Sequence, residues 1–483
     1  MKICLVAEGC YPYGVGGVSG WVHDMIKAFP NVEFVLLTLI ADRSVSKKFV
    51  YELPENLTEV HEVYLDDQEW AKGKGKKAKL KKEEYQALRS LIFNKNVDWG
   101  TLFDLFGKED FSVDNLLMGK DFLDITVDFY ESTYPNVTFS DFLWTLRSVY
   151  LPLFTVLRAK VPKADLYHCV STGYAGILGC MGQHFHKGKL LISEHGIYTR
   201  EREEELIKAE WITGLYRNIW IQQFKKMSQA AYDKADVVTS LYEAARVLQL
   251  ELGCPADKTR VTPNGIMVER WSNIPGKQED EMSYINVGAI LRVAPIKDVK
   301  TLIQAFALAK KKVKNLKLWI MGPCEEDEEY AQECFEMVQM NGVEDIIFTG
   351  RVNVPDYMGR MDMTILTSIS EGQPLTILES FASHKPVICT DVGCCRELIY
   401  GNHDGFGTAG ILTHIMNVDE IADAIVTLAC DEKLRKEMGD NGYQRLDAGY
   451  RLEYMKKTYE ELYQGFCDDL GKFWDDTLFQ IKR

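Results

Sequence analysis

The sequence predicts an α/β protein with two doubly wound parallel sheets facing a cleft. Two runs of alternating apolar strands and helices, separated by a polar segment at 273–281, support this prediction. In addition, the motifs described below follow strands or begin helices, and parallel sheets bind ligands at the carboxyl ends of their strands. The 483 residues are enough for two large domains.

The first run predicts an N-terminal domain over residues 1–272. It begins with strand 2–7, helix 19–29 and strand 32–39, and it resumes with strands at 165–171, 189–194, 237–241 and 260–263 and helices at 214–232 and 242–252. Residues 43–160 lack this alternation and are rich in charged and aromatic residues. We therefore expect them to form a mostly helical insertion packed on the first domain.

The second run predicts a C-terminal domain over residues 282–454. Its expected strands are 284–288, 316–321, 346–349, 363–367 and 386–390, and its expected helices are 298–311, 328–340 and 376–383. From residue 418 onward the pattern is helical.

The composition of the chain argues against nucleic-acid binding and indicates a cellular compartment. The net charge of -15 argues against nucleic acid as a partner. The twelve cysteines form no Cys-x-x-Cys pair and have no zinc spacing, which favours buried thiols in a reducing compartment. With no signal peptide and no apolar run of membrane-spanning length, we expect a cytoplasmic protein. The basic run at 72–82 is either a solvated loop or a peripheral contact with the anionic inner face of a membrane.

Two acidic residues, Glu371 and Glu379, define the most informative segment. Glu371 lies in a loop after a predicted strand and Glu379 lies inside the following helix, so eight residues place the carboxylates roughly 10–12 Å apart. That spacing matches the two ends of a sugar nucleotide, with the diphosphate at the helix N-terminus. The residues expected to contact it there are Gly372, Pro374, Leu375 and Thr376.

A glycine-rich loop at 14–20 follows the first strand and includes Gly16 and Gly17. Small residues let backbone N–H groups approach a phosphate or a sugar closely. The loop matches a nicotinamide-binding fingerprint imperfectly, and a flexible surface turn is the other alternative. We favour a loop that contacts substrate.

Five further residues carry polar groups in or beside loops. His195 ends a predicted strand and either assists chemistry in the cleft or is a structural histidine. Arg292 and Lys297 lie five residues apart in a loop that enters a helix, where two cations can offset the charge of a departing diphosphate. Either of two loop residues, Asn264 and Arg351, could border the ligand or be purely structural.

No Asp-x-Asp triplet is present, so we expect no metal site and no metal requirement for binding a nucleotide diphosphate.

Taken together, these motifs resemble the retaining glycosyltransferases of family 4, which have the GT-B fold of two Rossmann-like domains. The resemblance covers most of the chain outside residues 43–160. It implies that a C-terminal helix from about residue 455 to 483 completes the N-terminal, acceptor-side domain, and that the C-terminal domain binds the nucleotide sugar. One departure is Asp298, which follows Lys297 where the family usually has glycine.

The resemblance also implies roles for the residues. Arg292 and Lys297 would bind the donor diphosphate, and Glu379 would bind the ribose hydroxyls. Glu371 would contact the donor sugar, and His195 would lie near the reacting carbon. The two glycines, Gly16 and Gly17, would close over the phosphates or the acceptor.

The expected reaction is transfer of a hexose from a UDP-sugar, with UDP-glucose favoured, to a growing exopolysaccharide, in association with a membrane-bound synthase complex. Two rival functions stay open at this point. One is a UDP-sugar epimerase or hydrolase on the same fold. The other is a non-catalytic nucleotide-sugar-binding subunit of a polysaccharide synthase.

Overall fold

The computed structural model describes residues 1–41, 43, 48–65, 79–209 and 214–475, with only the backbone of residue 215. The chain divides into two compact units. Unit 1 comprises Met1–Ser240, Ala245–Val261 and Glu461–Arg483, and unit 2 comprises Leu241–Ala244 and Thr262–Glu460.

Unit 1 is built on a parallel sheet of seven strands. The spatial order is β3-β2-β1-β4-β5-β6-β7. The strands are β1 (Lys2–Glu8), β2 (Glu33–Ile40), β3 (Leu57–Tyr64), β4 (Leu166–Cys169), β5 (Lys189–Glu194), β6 (Val237–Ser240) and β7 (Thr259–Val261). The interior strands β1 and β4 are almost continuously apolar and buried, because helices cover both faces of such a sheet.

The helices that follow these strands agree with the predicted alternation. They are α1 (Gly17–Ala28), α7 (Tyr174–His186), α8 (Tyr198–Lys208), α9 (Gly214–Lys234) and α10 (Glu243–Glu251). Further helices fill the predicted insertion: α2 (Lys82–Ile92), α3 (Trp99–Phe106), α4 (Val113–Leu117), α5 (Lys120–Thr133) and α6 (Phe139–Leu157). Buried aromatic residues such as Phe106, Phe142 and Phe154 join these insertion helices to the core of unit 1.

The start of the insertion needs correction. Residues 57–64 fall within the predicted insertion but form β3, the edge strand beside β2. The sequence of β3 interrupts its apolar residues with pairs of polar ones, and most of its positions are partly exposed. It therefore lacks the continuous apolar run by which the other strands were predicted.

Unit 2 is built on a parallel sheet of six strands in the order β10-β9-β8-β11-β12-β13. The strands are β8 (Ile285–Ile290), β9 (Leu316–Met321), β10 (Ile346–Gly350), β11 (Met363–Leu366), β12 (Val387–Thr390) and β13 (Gly410–Thr413). Its helices are α11 (Val299–Lys312), α12 (Glu328–Asn341), α13 (Pro355–Met358), α14 (Leu375–Ala382), α15 (Cys395–Tyr400), α16 (Val418–Cys430) and α17 (Glu432–Gly449). The sequence did not predict β13, a four-residue edge strand.

The two doubly wound sheets confirm the predicted fold class. The last helix, α18 (Leu452–Asp469), begins in unit 2 and ends in unit 1. Residues 273–281, predicted as a linker, lie within unit 2 and include a short 3-10 helix at Glu279–Glu281.

Two further properties concern the helices and the cysteines of the described part of the chain. None of its helices is both long enough and apolar enough to cross a membrane. All twelve cysteines are free thiols, and most are buried. Most of the basic run at 72–82 lies outside the described residues.

Candidate active site

The candidate site of unit 2 lies at the point where strand order reverses. The first strand of this sheet, β8, has β9 on one side and β11 on the other. The loops that leave β8 and β11 therefore start side by side and open a crevice at the carboxyl ends of the strands. Lys297 lies in the first loop and Glu371 in the second, so the topology brings together two residues that are 74 positions apart.

Lys297 and Glu371 form an ion pair. The Lys297 Nζ to Glu371 Oε1 distance is 2.5 Å, and the side chains are only 15% and 12% exposed. The hydroxyl of Ser368 also donates to Glu371 Oε1, at 2.6 Å. This contact between the predicted phosphate-binding lysine and the predicted sugar-binding glutamate is the central feature of the site.

The backbone around Lys297 is fixed by the neighbouring loop. The Thr367 hydroxyl donates to the carbonyl of Lys297 at 3.0 Å, and Ile369 N–H donates to the carbonyl of Ile296 at 2.9 Å. Asp298 adopts the left-handed conformation with a φ of 47°, which aspartate tolerates better than most residues other than glycine. The replacement of glycine by aspartate therefore preserves the turn, and the Asp298 side chain also caps α11.

Arg292 has a separate acidic partner. Its Nη1 lies 2.5 and 2.6 Å from the two carboxylate oxygens of Glu326, which lies in the loop after β9. Both side chains are about half exposed, so this pair contributes little stability and a stronger anion can displace Glu326. Each of the two predicted phosphate-binding cations thus contacts a carboxylate in this structure.

Gln373 connects the Glu371 loop to the segment that follows β7. Its side-chain amide accepts from the backbone N–H of Asn264 at 2.7 Å and donates to the carbonyl of Asn264 at 3.2 Å. The side-chain Oδ1 of Asn264 is buried and has no partner among the described residues. Asn264, predicted only as a candidate, is thereby joined to the site.

Gly393 allows a third loop to approach. Its φ is +54°, and an added Cβ would lie 2.2 Å from the carbonyl oxygen of Glu371. The neighbouring Cys394 N–H donates to the carbonyl of Gly372 at 3.0 Å. Only glycine fits this close approach, so the position of the Glu371 loop depends on the loop after β12.

The N-terminus of α14 lies at the end of the Glu371 loop, and its first backbone N–H groups have few hydrogen-bond partners. The helix begins at Leu375, one residue before its predicted start, and Pro374 is its N-cap. No described side chain caps the helix, so the first N–H groups, including that of Thr376, have no intrahelical acceptor. Such a terminus favours a bound anion.

Glu379 lies one turn further along α14. Burial raises the pKa of its carboxyl to about 7, and the positive charge of Arg270 acts in the opposite direction. The carboxyl is therefore divided between its neutral and ionised forms near neutral pH. The sequence did not single out Arg270.

In unit 1, Gly16 and Gly17 lie at the N-terminus of α1. Gly16 has extended backbone as the N-cap, and α1 has no side-chain cap. A Cβ added to either glycine would meet nothing within 4 Å. Packing does not require glycine here, so these positions leave open space at a helix N-terminus.

His195 follows β5 and packs against Trp21, with the ring centroids 4.5 Å apart. Its Nε2 is buried without a partner among the described residues. Burial lowers the pKa of His195 to about 4, so its ring is neutral at pH 7. A neutral imidazole can exchange a hydrogen bond with a ligand but is a poor proton donor.

The remaining predicted position, Arg351, is exposed after β10. Within the described ranges, no three His, Cys, Asp or Glu residues are grouped so that they could hold a metal ion. Sequence reasoning missed Glu326, Ser368 and Gln373. Of these, Glu326 lies in the acidic run at 325–329. Ser368 and Gln373 lie within three residues of Glu371 in the sequence, and this proximity is the signal that could have identified them.

Family models match both parts of the chain. A model described as "Domain of unknown function (DUF3492)" matches residues 1–257, which is more than half of the chain. A model described as "Glycosyl transferases group 1" matches residues 267–445, the range that contains the Lys297–Glu371 pair. The chain belongs to the DUF3492 family, and its residues 267–445 carry a glycosyl transferases group 1 domain.

Individual relatives agree with this assignment. The N-acetyl-alpha-D-glucosaminyl L-malate synthase of Bacillus anthracis is 28% identical over 196 residues, which is 40% of this chain and 48% of the relative. The capsular polysaccharide biosynthesis glycosyltransferase CapM of Staphylococcus aureus is 24% identical over 212 residues, covering 43% and 54%. The chain thus spans about half the length of these relatives.

A solved structure matches along almost the whole chain. Anabaena Alr3699/HepE in complex with UDP and glucose superposes with a TM-score of 0.59 and 15% identity, covering 96% of this chain and 99% of that one. At this identity the likeness shows the shared fold of two Rossmann-like domains.

Glu379 gives a test of the electrostatics of the site. Its pKa is about 7 in the folded protein against 4.5 for the ordinary group, so the folded state loses stability as pH rises from about 4.5 to about 7. We expect Glu379→Gln to stabilise the protein relative to the wild type by about 1–3 kcal/mol more at pH 8 than at pH 4. Chemical denaturation at the two pH values measures this difference, and an equal effect at both would contradict the raised pKa of Glu379.

Proposed function

We propose that the protein is a retaining family 4 glycosyltransferase that transfers a hexose from a UDP-sugar, with UDP-glucose as the expected donor, to a growing exopolysaccharide. The observation that carries the proposal is the Lys297–Glu371 ion pair at the carboxyl ends of β8 and β11. It lies inside the range matched by the glycosyl transferases group 1 model.

The donor diphosphate would bind by exchange of partners. A diphosphate that reaches Lys297 and Arg292 replaces the carboxylates of Glu371 and Glu326 as their partner. Because the diphosphate is negatively charged, it would also repel these two carboxylates. Glu371 is then free to accept hydrogen bonds from the hydroxyls of the donor sugar. The uncapped first turn of α14 supplies N–H groups to the same phosphates.

The reaction would proceed through an oxocarbenium-like transition state. The bond between the anomeric carbon and the phosphate oxygen breaks, and its electron pair leaves with UDP. The acceptor hydroxyl oxygen bonds the anomeric carbon on the same face and gives its proton to the departing phosphate oxygen. The protein positions the reactants and stabilises the leaving charge through Lys297 and Arg292, and no carboxylate nucleophile is required.

Two other residues would complete recognition of the substrates. Glu379 accepts hydrogen bonds from the ribose hydroxyls in its ionised form. His195, neutral at pH 7, exchanges a hydrogen bond with a substrate hydroxyl rather than acting as an acid.

Sequence likeness supports a narrower identity. Residues 11–19 and 193–202 resemble the Pel exopolysaccharide glycosyltransferase PelF. On this basis we propose a polysaccharide acceptor and a membrane-bound synthase complex as partner. The complexes of HepE with UDP and glucose and with UDP-glucose support UDP-glucose as the first donor to test.

We expect UDP and UDP-glucose, but not GDP-mannose, to raise the melting temperature of the protein. We also expect incubation of UDP-glucose with an oligosaccharide panel to give an α-linked product, because retention preserves the α configuration of the donor. Thermal shift measures the first result, and NMR of the product measures the second.

A β-linked product would contradict retention. Acceptor-independent formation of an epimer or of free glucose would favour the epimerase or hydrolase, and binding without turnover would favour a non-catalytic subunit.

Lys297→Ala tests the role of the ion pair. Loss of a hydrogen bond to a charged group costs about 1.5–3 kcal/mol, so we expect kcat/KM for the donor to fall by about 10- to 100-fold. Lys300→Ala is the matched control, since Lys300 forms an exposed pair with Glu333 in the same region and should retain activity. Donor turnover that is the same in both variants would refute the proposed contact.

We further propose that the reaction needs no metal, because the sequence has no Asp-x-Asp triplet to hold one at the diphosphate. Donor turnover should therefore be unchanged within error after treatment with EDTA. A loss of activity that Mg²⁺ or Mn²⁺ restores would contradict this, and the rate of UDP release measures it.

A further inference from the structure

Unit 1 has its own point of strand-order reversal, between β1 and β4. Glu8 is the last residue of β1, and Ser171 lies just beyond the end of β4. Loops that diverge from two adjacent strands leave a crevice at their carboxyl ends, which is where doubly wound sheets bind ligands. The Glu8 carboxylate is half-buried at this position.

The hydrogen bonds that the Glu8 carboxylate accepts from the described residues are long. Its Oε2 accepts from Ser171 Oγ at 3.4 Å and from the Ala175 N–H at 3.3 Å, and its Oε1 accepts from Tyr198 Oη at 3.2 Å. Hydrogen bonds to a carboxylate are usually about 2.5–2.9 Å long, and a carboxylate offers about four acceptor positions. Glu8 therefore has capacity to accept shorter bonds from a ligand.

The neighbouring acid Glu194 shows what a structural carboxylate looks like in this unit. It is 3% exposed and accepts from four donors at 2.8–3.1 Å: Thr172 Oγ1, the Tyr198 N–H, Tyr232 Oη and Gln249 Nε2. Glu194 is fully satisfied by the fold. Glu8 is more exposed and, among the described residues, accepts only three hydrogen bonds, all of them long, so the same explanation does not account for it.

The groups around Glu8 would suit a ligand with several hydroxyls. The Tyr198 hydroxyl can donate or accept, and the guanidinium of Arg202 lies over the Tyr198 ring at 5.4 Å. The Nη1 of Arg202 pairs with Glu205 at 2.9 Å, whereas its Nε is buried without a partner among the described residues. Burial raises the pKa of Glu8 and the charge of Arg202 lowers it. The carboxylate of Glu8 thus lies beside a tyrosine hydroxyl and within the influence of a guanidinium that has one N–H group to spare.

The position of Tyr198 is enforced by the backbone. A Cβ on Gly173 would lie 2.1 Å from the Tyr198 ring, so this ring fills space that only glycine leaves open. Tyr198 is 4% exposed, and its first-turn position in α8 fixes its hydroxyl towards Glu8. The Glu8–Tyr198 arrangement is therefore set before any ligand binds.

We propose that Glu8, together with Tyr198 and Arg202, binds adjacent hydroxyl groups on the acceptor glycan. The carboxylate of Glu8 accepts hydrogen bonds from two neighbouring hydroxyls of one sugar ring, and Arg202 donates to a hydroxyl or ring oxygen beside them. Glu8 is thus a specificity-determining residue for the acceptor. This inference rests on the proposed function, because it assigns the second substrate of the same reaction.

A glycan array of neutral, acidic and amino-sugar oligosaccharides, probed in the presence of UDP, tests the inference. The variants are Glu8→Gln and the more conservative Glu8→Asp. The matched control is Glu33→Gln, which removes a partly exposed carboxylate at the amino end of β2 in the same sheet. A thermal shift with UDP-glucose, measured on every variant, reports both folding and donor binding.

We expect the wild type and Glu33→Gln to bind the same oligosaccharides. Glu8→Gln should bind them at least about tenfold more weakly, with an intermediate loss for Glu8→Asp and the same UDP-glucose shift in every protein. Equal glycan binding by Glu8→Gln and the control, or no glycan binding by the wild type, would overturn the inference. Absence of the UDP-glucose shift from all proteins would instead overturn the proposed function, so the two failures are distinguishable.

Discussion

The ion pair between Lys297 and Glu371 is the interaction on which the candidate site of unit 2 depends. It exists because β8 lies inside its sheet, so that the loops leaving β8 and β11 start next to each other. Both side chains are largely shielded from water. Opposite charges attract each other more strongly in such a buried environment than at the surface. It holds both loops in place while keeping a cation and a carboxylate ready to exchange partners when a phosphate arrives.

The same topological constraint operates separately in unit 1, where the loops that follow β1 and β4 diverge beside Glu8. Burial then sets the chemical state of the groups in each unit. It lowers the pKa of His195 to about 4 and raises the pKa of Glu379 to about 7, so His195 is neutral and Glu379 is only partly ionised at neutral pH. A neutral imidazole and a partly neutral carboxyl suit recognition of hydroxyls better than strong acid or base chemistry.

Much of the fold could be predicted because buried parallel strands have short, continuous apolar sequences. The bounds predicted for β5 and β9 match the structure, and the Glu371 loop was placed correctly after β11. The edge strand β3 was missed because polar residues interrupt its apolar ones and most of its positions are partly exposed. Residue types and loop positions sufficed to select Lys297 and Glu371, but not to show that they pair.

The sequence by itself determined two doubly wound sheets and the loops that carry charge. Tertiary structure alone decided which charges meet. Glu326 and Gln373 acquire partners only because distant loops converge, at Arg292 and Asn264 respectively. The physical reason is that strand order, which is not encoded locally, determines which carboxyl ends are neighbours, and burial at those ends then sets the strength of each contact.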